Sequence, residues 1–266
     1  MTLYGRGFFE AVTFTGAQIA APQILWLAPP AALSLAEHEV HVWRAALDQP
    51  AATVQALLQT LTPDERGRAE RFHFPTHREH FVVARGVLRN ILSRYLKVEP
   101  GTLRFRYGQY GKPALRGDEL RFNVAHANGL ALYAVTRRRE VGLDLEYATE
   151  DCASTQLAER FFSRKEVEML RALPPANYRA GFFNCWTRKE AYLKARGTGL
   201  SVELNQFDVS LAPGEPASLL SSRENAQEVA RWSMRELAPG PRYAAALVVE
   251  GHDWQLNRWQ WRSPLE

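Results

Sequence analysis

Residues 141–146 have the sequence Val141-Gly142-Leu143-Asp144-Leu145-Glu146, in which apolar and acidic positions alternate. Because side chains two residues apart share a face of a strand, this pattern predicts a strand that presents Asp144 and Glu146 together. The simplest alternative is a half-buried edge strand with a solvated acidic face. Adjacent carboxylates repel each other and favour a cation between them, and their oxygens suit Mg²⁺. The strand therefore predicts one part of a magnesium site.

A second stretch, residues 186–194, has the sequence Trp186-Thr187-Arg188-Lys189-Glu190-Ala191-Tyr192-Leu193-Lys194. On a helix, Glu190 and Lys194 lie one turn apart. As an exposed ion pair they would contribute only about 0.3–0.5 kcal/mol. Aromatic neighbours such as Phe182 and Phe183 indicate that the helix packs on several sides, so we expect Glu190 and Lys194 to line a cleft. Converging with Asp144 and Glu146, they would supply what a divalent metal and a pyrophosphate require.

Composition limits the classes to which the chain can belong. It has 266 residues, 46% hydrophobic and 23% charged, which is typical of a globular protein with a substantial core. The formal charge of +4 favours an anionic partner without identifying it. No apolar run reaches the roughly 20 residues of a membrane span, and the N-terminal 30 residues do not resemble a signal peptide. Cys152 and Cys185 have no metal-binding spacing, which favours a cytoplasmic location.

Periodicity and capping residues predict an α+β fold. After an irregular lead-in over residues 1–35, the first half is predicted to contain a strand, two capped helices, a further strand and a hairpin, at 39–47, from 62, 76–97, 103–107 and 121–136. The second half is predicted to contain two helices and several strands, at 141–146, from 163, 178–196, 206–211, 229–237, 242–250 and 254–261. This order predicts two similar α+β halves, residues 1–136 and 137–266, the second carrying the acidic residues.

Several other motifs have both a structural and a functional interpretation. The glycine-rich loop at 108–113 is either a strand connector or a phosphate contact, in which Lys112 supplies a point charge. His126 ends a predicted strand, where histidine is usually structural. We interpret His73, His77 and His80 as surface and packing residues, because Pro75 interrupts a shared helical face for the first two.

Taken in order, these motifs resemble the Sfp-type 4′-phosphopantetheinyl transferases. The resemblance covers about residues 60–211. It depends on Gly111-Lys112-Pro113, Asn123-Val124-Ala125-His126, the strand 141–146, Phe161-Phe162-Ser163-Arg164-Lys165-Glu166, the helix 186–194, and Gly197-Thr198-Gly199-Leu200. It implies a pseudo-twofold monomer whose two halves bind coenzyme A in the cleft between them, and a cytoplasmic enzyme of fatty acid, polyketide or nonribosomal peptide biosynthesis.

The resemblance also implies an activity and a set of site residues. The activity is Mg²⁺-dependent transfer of 4′-phosphopantetheine from coenzyme A to a serine of an apo acyl or peptidyl carrier protein, with release of adenosine 3′,5′-bisphosphate. Asp144, Glu146 and Glu190 are the implied metal ligands, and Glu190, Lys194 and Asp144 the implied catalytic residues. The implied coenzyme contacts are Arg68, Lys112, Pro113, Asn123, His126, Lys189 and Lys194.

One position departs from the family pattern, and it motivates an alternative. Ala125 replaces the serine that precedes the family histidine, which removes a hydroxyl donor expected to contact a coenzyme phosphate. The second hypothesis is therefore a catalytically weak protein that binds coenzyme A or a carrier protein. A third hypothesis is a nucleic-acid-binding module, motivated only by the net charge and by Arg137-Arg138-Arg139. The carboxylates of Asp144, Glu146 and Glu190 argue against it, because a phosphate backbone would repel them. We expect neither nucleic acid nor membrane as a partner.

Overall fold

Two sheets, each packed against a 22-residue helix, form the framework of the protein. The computed structural model describes residues 25–117, 119–149, 153–263 and 265. Most of the predicted lead-in, residues 1–24, and Cys152 lie outside the described residues. No described helix is long and apolar enough to cross a membrane.

The first half contains five strands and three α-helices among its described residues. They are β1 (Glu39–Ala46), α1 (Ala51–Thr60), α2 (Pro63–Glu70), α3 (Pro75–Leu96), β2 (Phe105–Tyr107), β3 (Pro113–Leu115), β4 (Leu120–Ala127) and β5 (Leu130–Arg137), with a 3₁₀ turn at Pro100–Thr102. The β4–β5 hairpin turns at Asn128 and Gly129, whose φ angles of 41° and 79° are those that an Asn-Gly turn supplies. The predicted hairpin is confirmed.

The second half repeats a long helix and an antiparallel sheet. It contains β6 (Val141–Tyr147), α4 (Thr155–Phe161), α5 (Arg164–Ala172), α6 (Pro175–Arg196), β7 (Phe207–Val209), β8 (Leu219–Ser222), α7 (Glu228–Arg231), β9 (Trp232–Leu237) and β10 (Tyr243–Glu250), with 3₁₀ turns at Gly199–Ser201 and Leu204–Gln206. A final strand, β11 (Gln255–Gln260), follows. Helix α5 begins with the predicted capping box between Ser163 and Glu166.

The two sheets pack face to face between the two long helices. Their strand orders are β11-β1-β5-β4 and β6-β10-β9. The inner faces form one apolar cluster that includes Val42, Leu132, Leu143 and Leu247. Since strand faces alternate, the other face of β6 carries Gly142, Asp144 and Glu146 toward α6. The predicted alternation in residues 141–146 is confirmed.

Two predictions about the elements need correction. Strand β11 pairs in parallel with β1, so the C-terminal strand belongs to the sheet of the first half, in contrast to the predicted assignment of all residues 137–266 to the second. The predicted capping box at residues 76–79 is also wrong. Helix α3 starts at Pro75 after Phe74, without a side-chain cap, because proline at the first helical position has no N–H to satisfy.

Candidate active site

Helix α6 lies directly on strand β6, and Gly142 makes this contact possible. A Cβ at residue 142 would lie 2.0 Å from the carbonyl oxygen of Ala191 and 2.3 Å from the backbone nitrogen of Ala195. Only glycine allows the helix backbone to approach so closely. The glycine of the acidic strand therefore brings the side chains that follow it within reach of the last turns of α6.

An ion pair between Lys194 and Asp144 crosses the contact between α6 and β6, which we call the junction. The Lys194 Nζ donates to Asp144 Oδ1 at 2.6 Å, while Asp144 Oδ2 is buried and has no hydrogen-bond partner among the described residues. Burial raises the pKa of the Asp144 carboxyl, and the positive charge of Lys194 opposes that effect. The junction thus holds one buried carboxylate with an oxygen available to a ligand.

Glu146 and Glu190 lie close enough to Asp144 to be influenced by its charge. Burial is the main cause of the raised pKa of Glu190, and the negative charge of Asp144 raises it further. The pKa of Glu146 is raised by burial first and then by Asp144, while a hydrogen bond with the Trp186 side chain works in the opposite direction. The strand and the helix therefore present three carboxylates whose negative charges influence one another.

These carboxylates fit a hard divalent cation, although their side chains are not gathered as a complete ligand set. Within the described ranges, no group of three or more His, Cys, Asp or Glu side chains is arranged to hold a metal ion. Magnesium usually takes only one or two carboxylates and completes its shell with phosphate oxygens and water. The orphaned Asp144 Oδ2 and the mutual repulsion of the acidic groups match that requirement.

A cleft extends from this junction between the two halves. Its inner part, a cavity of about 290 Å³, has walls from both halves: Lys112, Pro113 and Asn123 face Glu190 and Lys194 across it. An adjoining cavity of about 670 Å³, the outer cavity, is lined by residues of the first half; it shares Pro113 and Val124 with the inner cavity and also reaches Arg68 and His126. The structure thus brings six of the seven predicted coenzyme contacts to one cleft: Arg68, Lys112, Pro113, Asn123, His126 and Lys194.

Arg68 supplies positive charge to the outer cavity, and His126 supplies an imidazole that can become positively charged there. Arg68 is exposed, with its guanidinium over the ring of Phe81 at 5.4 Å. The pKa of His126 is lowered, mainly by burial and further by the positive charges of Lys194 and His80. Neutral His126 would gain a proton beside a phosphate, because an anion stabilises the imidazolium.

Lys112 and Asn123 also join the two halves. Lys112 Nζ donates to the carbonyl oxygens of Val141 at 3.0 Å and Lys194 at 2.7 Å. Asn123 Oδ1 accepts a hydrogen bond from the backbone N–H of Leu143 at 2.8 Å. Both side chains therefore hold the walls of the inner cavity at fixed separation, a role that the sequence did not predict.

Lys189 is the one predicted coenzyme contact that the structure contradicts. Its ammonium is fully buried, 2.8 Å from Glu166 Oε2, and donates to the carbonyl oxygens of Leu204 and Phe207. Around a helix, consecutive residues are about 100° apart, so Lys189 points away from the face that carries Glu190. The predicted contact between Lys189 and coenzyme A is wrong.

The expectation for Ala125 is also corrected. Ala125 is 5% exposed and belongs to the apolar cluster between the sheets. Its neighbours Val124 and His126 line the outer cavity from the opposite face of β4. A serine hydroxyl at position 125 would therefore point into the core, so the alanine does not remove a phosphate donor from the cavity.

His77 and His80, which we interpreted as surface and packing residues, lie at the surface and also line the outer cavity. His80 Nε2 lies 2.7 Å from Asp48 Oδ1, which fixes the orientation of its ring. Both histidines follow Pro75 on α3, three residues apart and hence on one face. Only His73 is separated by the proline, so the spacing of His77 and His80 was the signal that could have identified them.

Comparisons with known proteins agree with this arrangement. The profile of the 4′-phosphopantetheinyl transferase superfamily matches residues 140–248, and that of the N-terminal region of 4′-phosphopantetheinyl transferases matches residues 43–137. The chain is 45% identical over 244 residues to the 4′-phosphopantetheinyl transferase HetI of Nostoc sp., covering 90% of this chain and 99% of that protein. It is 27% identical to 4′-phosphopantetheinyl transferase Sfp of Bacillus subtilis, over 59% of this chain and 69% of Sfp. The chain therefore belongs to the 4′-phosphopantetheinyl transferase family.

Proposed function

We propose that the protein transfers the 4′-phosphopantetheine group of coenzyme A to a serine hydroxyl of an apo acyl or peptidyl carrier protein. Family membership supports this class of reaction. For this chain, one observation supports the proposal most strongly. The Lys194 ammonium lies 2.6 Å from Asp144 Oδ1, and Lys194 also lines the inner cavity, whose walls come from both halves. A pyrophosphate in that cleft would meet the ammonium of Lys194 and the carboxylate of Glu190, which both line it.

The reaction requires a displacement at phosphorus. The serine Oγ forms a bond to the β-phosphorus of coenzyme A, the bond from that phosphorus to the bridging oxygen breaks, and adenosine 3′,5′-bisphosphate leaves with the electron pair. The serine proton must pass to a base. Negative charge accumulates on phosphate oxygens during the transfer, so fixed positive charge near them lowers the barrier.

Glu190 and Lys194 have the positions and charges for these tasks. Glu190 lines the inner cavity, where its carboxylate can accept a proton from a hydroxyl group that enters the cavity. We assign to it the acceptance of the serine proton, directly or through a water molecule. Lys194 lies on the same helical face one turn later, and its ammonium can shift from Asp144 Oδ1 toward the transferring phosphate.

Asp144, Glu146 and Glu190 are the residues that would hold Mg²⁺. When bound, the ion supplies neutralisation of the negative charge on the pyrophosphate oxygens. Asp144 is the ligand best supported by the structure, because its Oδ2 is buried without a partner among the described residues. Glu146 and Glu190, whose pKa values are raised by the charge of Asp144, would complete the acidic set.

The outer cavity would hold the adenine nucleotide end of coenzyme A. Arg68 and His126 would contact its phosphates, and Pro113 would pack against the adenine, with Lys112 and Asn123 at the narrow passage between the cavities. Because both walls of the cleft come from one chain, we propose that the protein acts as a monomer. We place it in the cytoplasm, where coenzyme A and carrier proteins are available, with no nucleic acid or membrane as partner.

Carrier modification tests the proposal directly. The protein, coenzyme A and Mg²⁺ are incubated with an apo carrier protein, and the intact carrier is examined by mass spectrometry. We expect the mass of the carrier to increase by one phosphopantetheine, and the gain to depend on Glu190. A carrier of unchanged mass, together with measurable coenzyme A binding by calorimetry, would instead favour the alternative of a catalytically weak binding protein.

A further inference from the structure

Lys189 and Glu166 form an ion pair that is fully enclosed by protein. Both side chains have 0% exposure, and their nearest atoms are 2.8 Å apart. Each remaining hydrogen of the ammonium has an acceptor: Leu204 O at 2.6 Å and Phe207 O at 2.5 Å. Glu166 accepts in turn from the backbone N–H groups of Ser163 and Val209. The pair thus joins helix α5, helix α6 and the segment 204–209.

The contacts of this pair lie behind the reactive face of α6. Lys189 precedes Glu190 in the chain and is rotated about 100° from it around the helix. Arg188, rotated further, is also buried and donates to Ser210 O at 2.7 Å. Two buried cations therefore attach the back of α6 to residues 204–210, while Glu190 and Lys194 face the cleft at the front.

A third side of the same helix, distinct from the cleft side and from the side of Lys189, has its own fixed contact. Gly142 places β6 against the backbone of Ala191 and Ala195, so α6 is held between this strand and the segment 204–210. The strand contact sets the distance of the helix from Asp144. Lys189 lies about 100° around α6 from Glu190, so its buried contacts restrain the rotation of the helix about its own axis and thereby the direction in which Glu190 and Lys194 point.

We propose that Lys189 and Glu166 are positioning residues for the transfer reaction, fixing the rotation of α6 that presents Glu190 and Lys194 to Asp144 and the pyrophosphate. This inference rests on the proposed function. It gives the lysine of the Lys-Glu sequence a purpose that requires no contact with coenzyme A. A misplacement of about 1 Å in a reacting group can lower a rate about 100-fold, so a small rotation of α6 suffices for a large effect.

The test is a comparison of kcat and KM in folded variants. The double variant Lys189→Met with Glu166→Gln removes both charges together, because removal of one partner alone leaves an uncompensated buried charge. Lys165→Met is the matched control, since Lys165 directly precedes Glu166 on α5 but is exposed. Circular dichroism sets a temperature at which every variant is folded. We expect kcat for carrier modification to fall at least 10-fold in the double variant, KM for coenzyme A to change less than 3-fold, and the control to match the wild type.

A second variant covers the case in which the double variant does not fold. Phe207→Leu loosens the segment that Lys189 holds, because the ammonium lies 4.3 Å from the centre of the Phe207 ring, and it leaves both charges in place. We expect the same fall in kcat with little change in KM. An unchanged kcat in either folded variant overturns the inference, and so does a rise in KM for coenzyme A at constant kcat, which would make Lys189 a substrate contact. If the wild type modifies no carrier protein, the proposed function is refuted, which is a different outcome from refutation of the positioning role alone.

Discussion

The ammonium of Lys194 lies 2.6 Å from Oδ1 of Asp144 and joins the last turn of α6 to the middle of β6. The two residues are 50 positions apart in sequence, so only the fold brings them together. A buried carboxylate beside a partly exposed ammonium is a site that a pyrophosphate and a divalent cation can enter by exchanging partners.

Substitution of Gly142 by alanine should be strongly destabilising. The added Cβ would lie 2.0 Å from the carbonyl oxygen of Ala191, and a helix backbone cannot give way as a side chain can. We expect a loss of unfolding free energy above the roughly 1–3 kcal/mol of ordinary overpacking. Gly67→Ala is the matched control, because residue 67 is helical with no atom within 4 Å of its added Cβ, and it should stabilise by about 0.5–1 kcal/mol. Urea denaturation measures both, and equal effects would refute the close approach.

Glu190→Gln should abolish most of the activity and raise the melting temperature. Loss of a general base lowers rates by about 10²–10⁴-fold. The pKa of Glu190 is raised in the folded protein by burial and by Asp144, so ionised Glu190 costs stability above its unfolded pKa and not below it. In the absence of divalent cations, the variant should therefore melt higher than the wild type at pH 7 and show a smaller difference at pH 4. Glu168→Gln, on the exposed face of α5, is the control for both assays. An active variant would remove Glu190 from the mechanism.

Ala125→Ser should not improve coenzyme A binding. The side chain faces the apolar cluster between the sheets, where an added hydroxyl has no partner and costs about 1–3 kcal/mol. We expect a lower midpoint of denaturation and an unchanged Kd for coenzyme A by calorimetry. A tighter complex would show that residue 125 reaches the coenzyme after all.

Coenzyme A affinity should depend on pH through His126. Burial and the charges of Lys194 and His80 lower the pKa of free His126, and a bound phosphate raises it. Binding then takes up a proton between the two pKa values, so affinity should be constant above the pKa of the complex, strengthen as the pH falls below it, and level off below the pKa of the free protein. Calorimetry at several pH values in wild type and His126→Gln separates this effect from titration of the coenzyme itself. The same pH dependence in both proteins would argue against a phosphate contact by His126.

Sequence patterns predicted the helices and strands well where these elements are determined by interactions between residues close together in the chain. The alternation in residues 141–146 and the capping box of Ser163 and Glu166 are read from neighbouring residues, and both are present. Helix α1 was missed because it follows Pro50 without a side-chain cap. The pairing of β11 with β1 joins residues more than 200 positions apart, and no local pattern encodes such a partner.

Only part of the site could be predicted, because its other part depends on contacts between residues far apart in sequence. Spacing places Glu190 and Lys194 on one helical face and the acidic residues on one strand face, which requires only the helix and strand periods. Lys189 was assigned to the coenzyme by resemblance, although the helix period alone separates it from Glu190 by about 100°. Its partners Leu204 and Phe207 are tertiary neighbours, and only the structure shows that they enclose it.

Binding of a divalent cation tests the central claim, that β6 and α6 meet to form one metal and pyrophosphate site, most directly. Mn²⁺ can replace Mg²⁺ as a paramagnetic probe, titrated in the presence of coenzyme A and followed by electron paramagnetic resonance. We predict one ion per chain in the wild type, much weaker binding in Asp144→Asn and in Glu190→Gln, and wild-type binding in Glu168→Gln. Full Mn²⁺ affinity in both site variants would contradict the account.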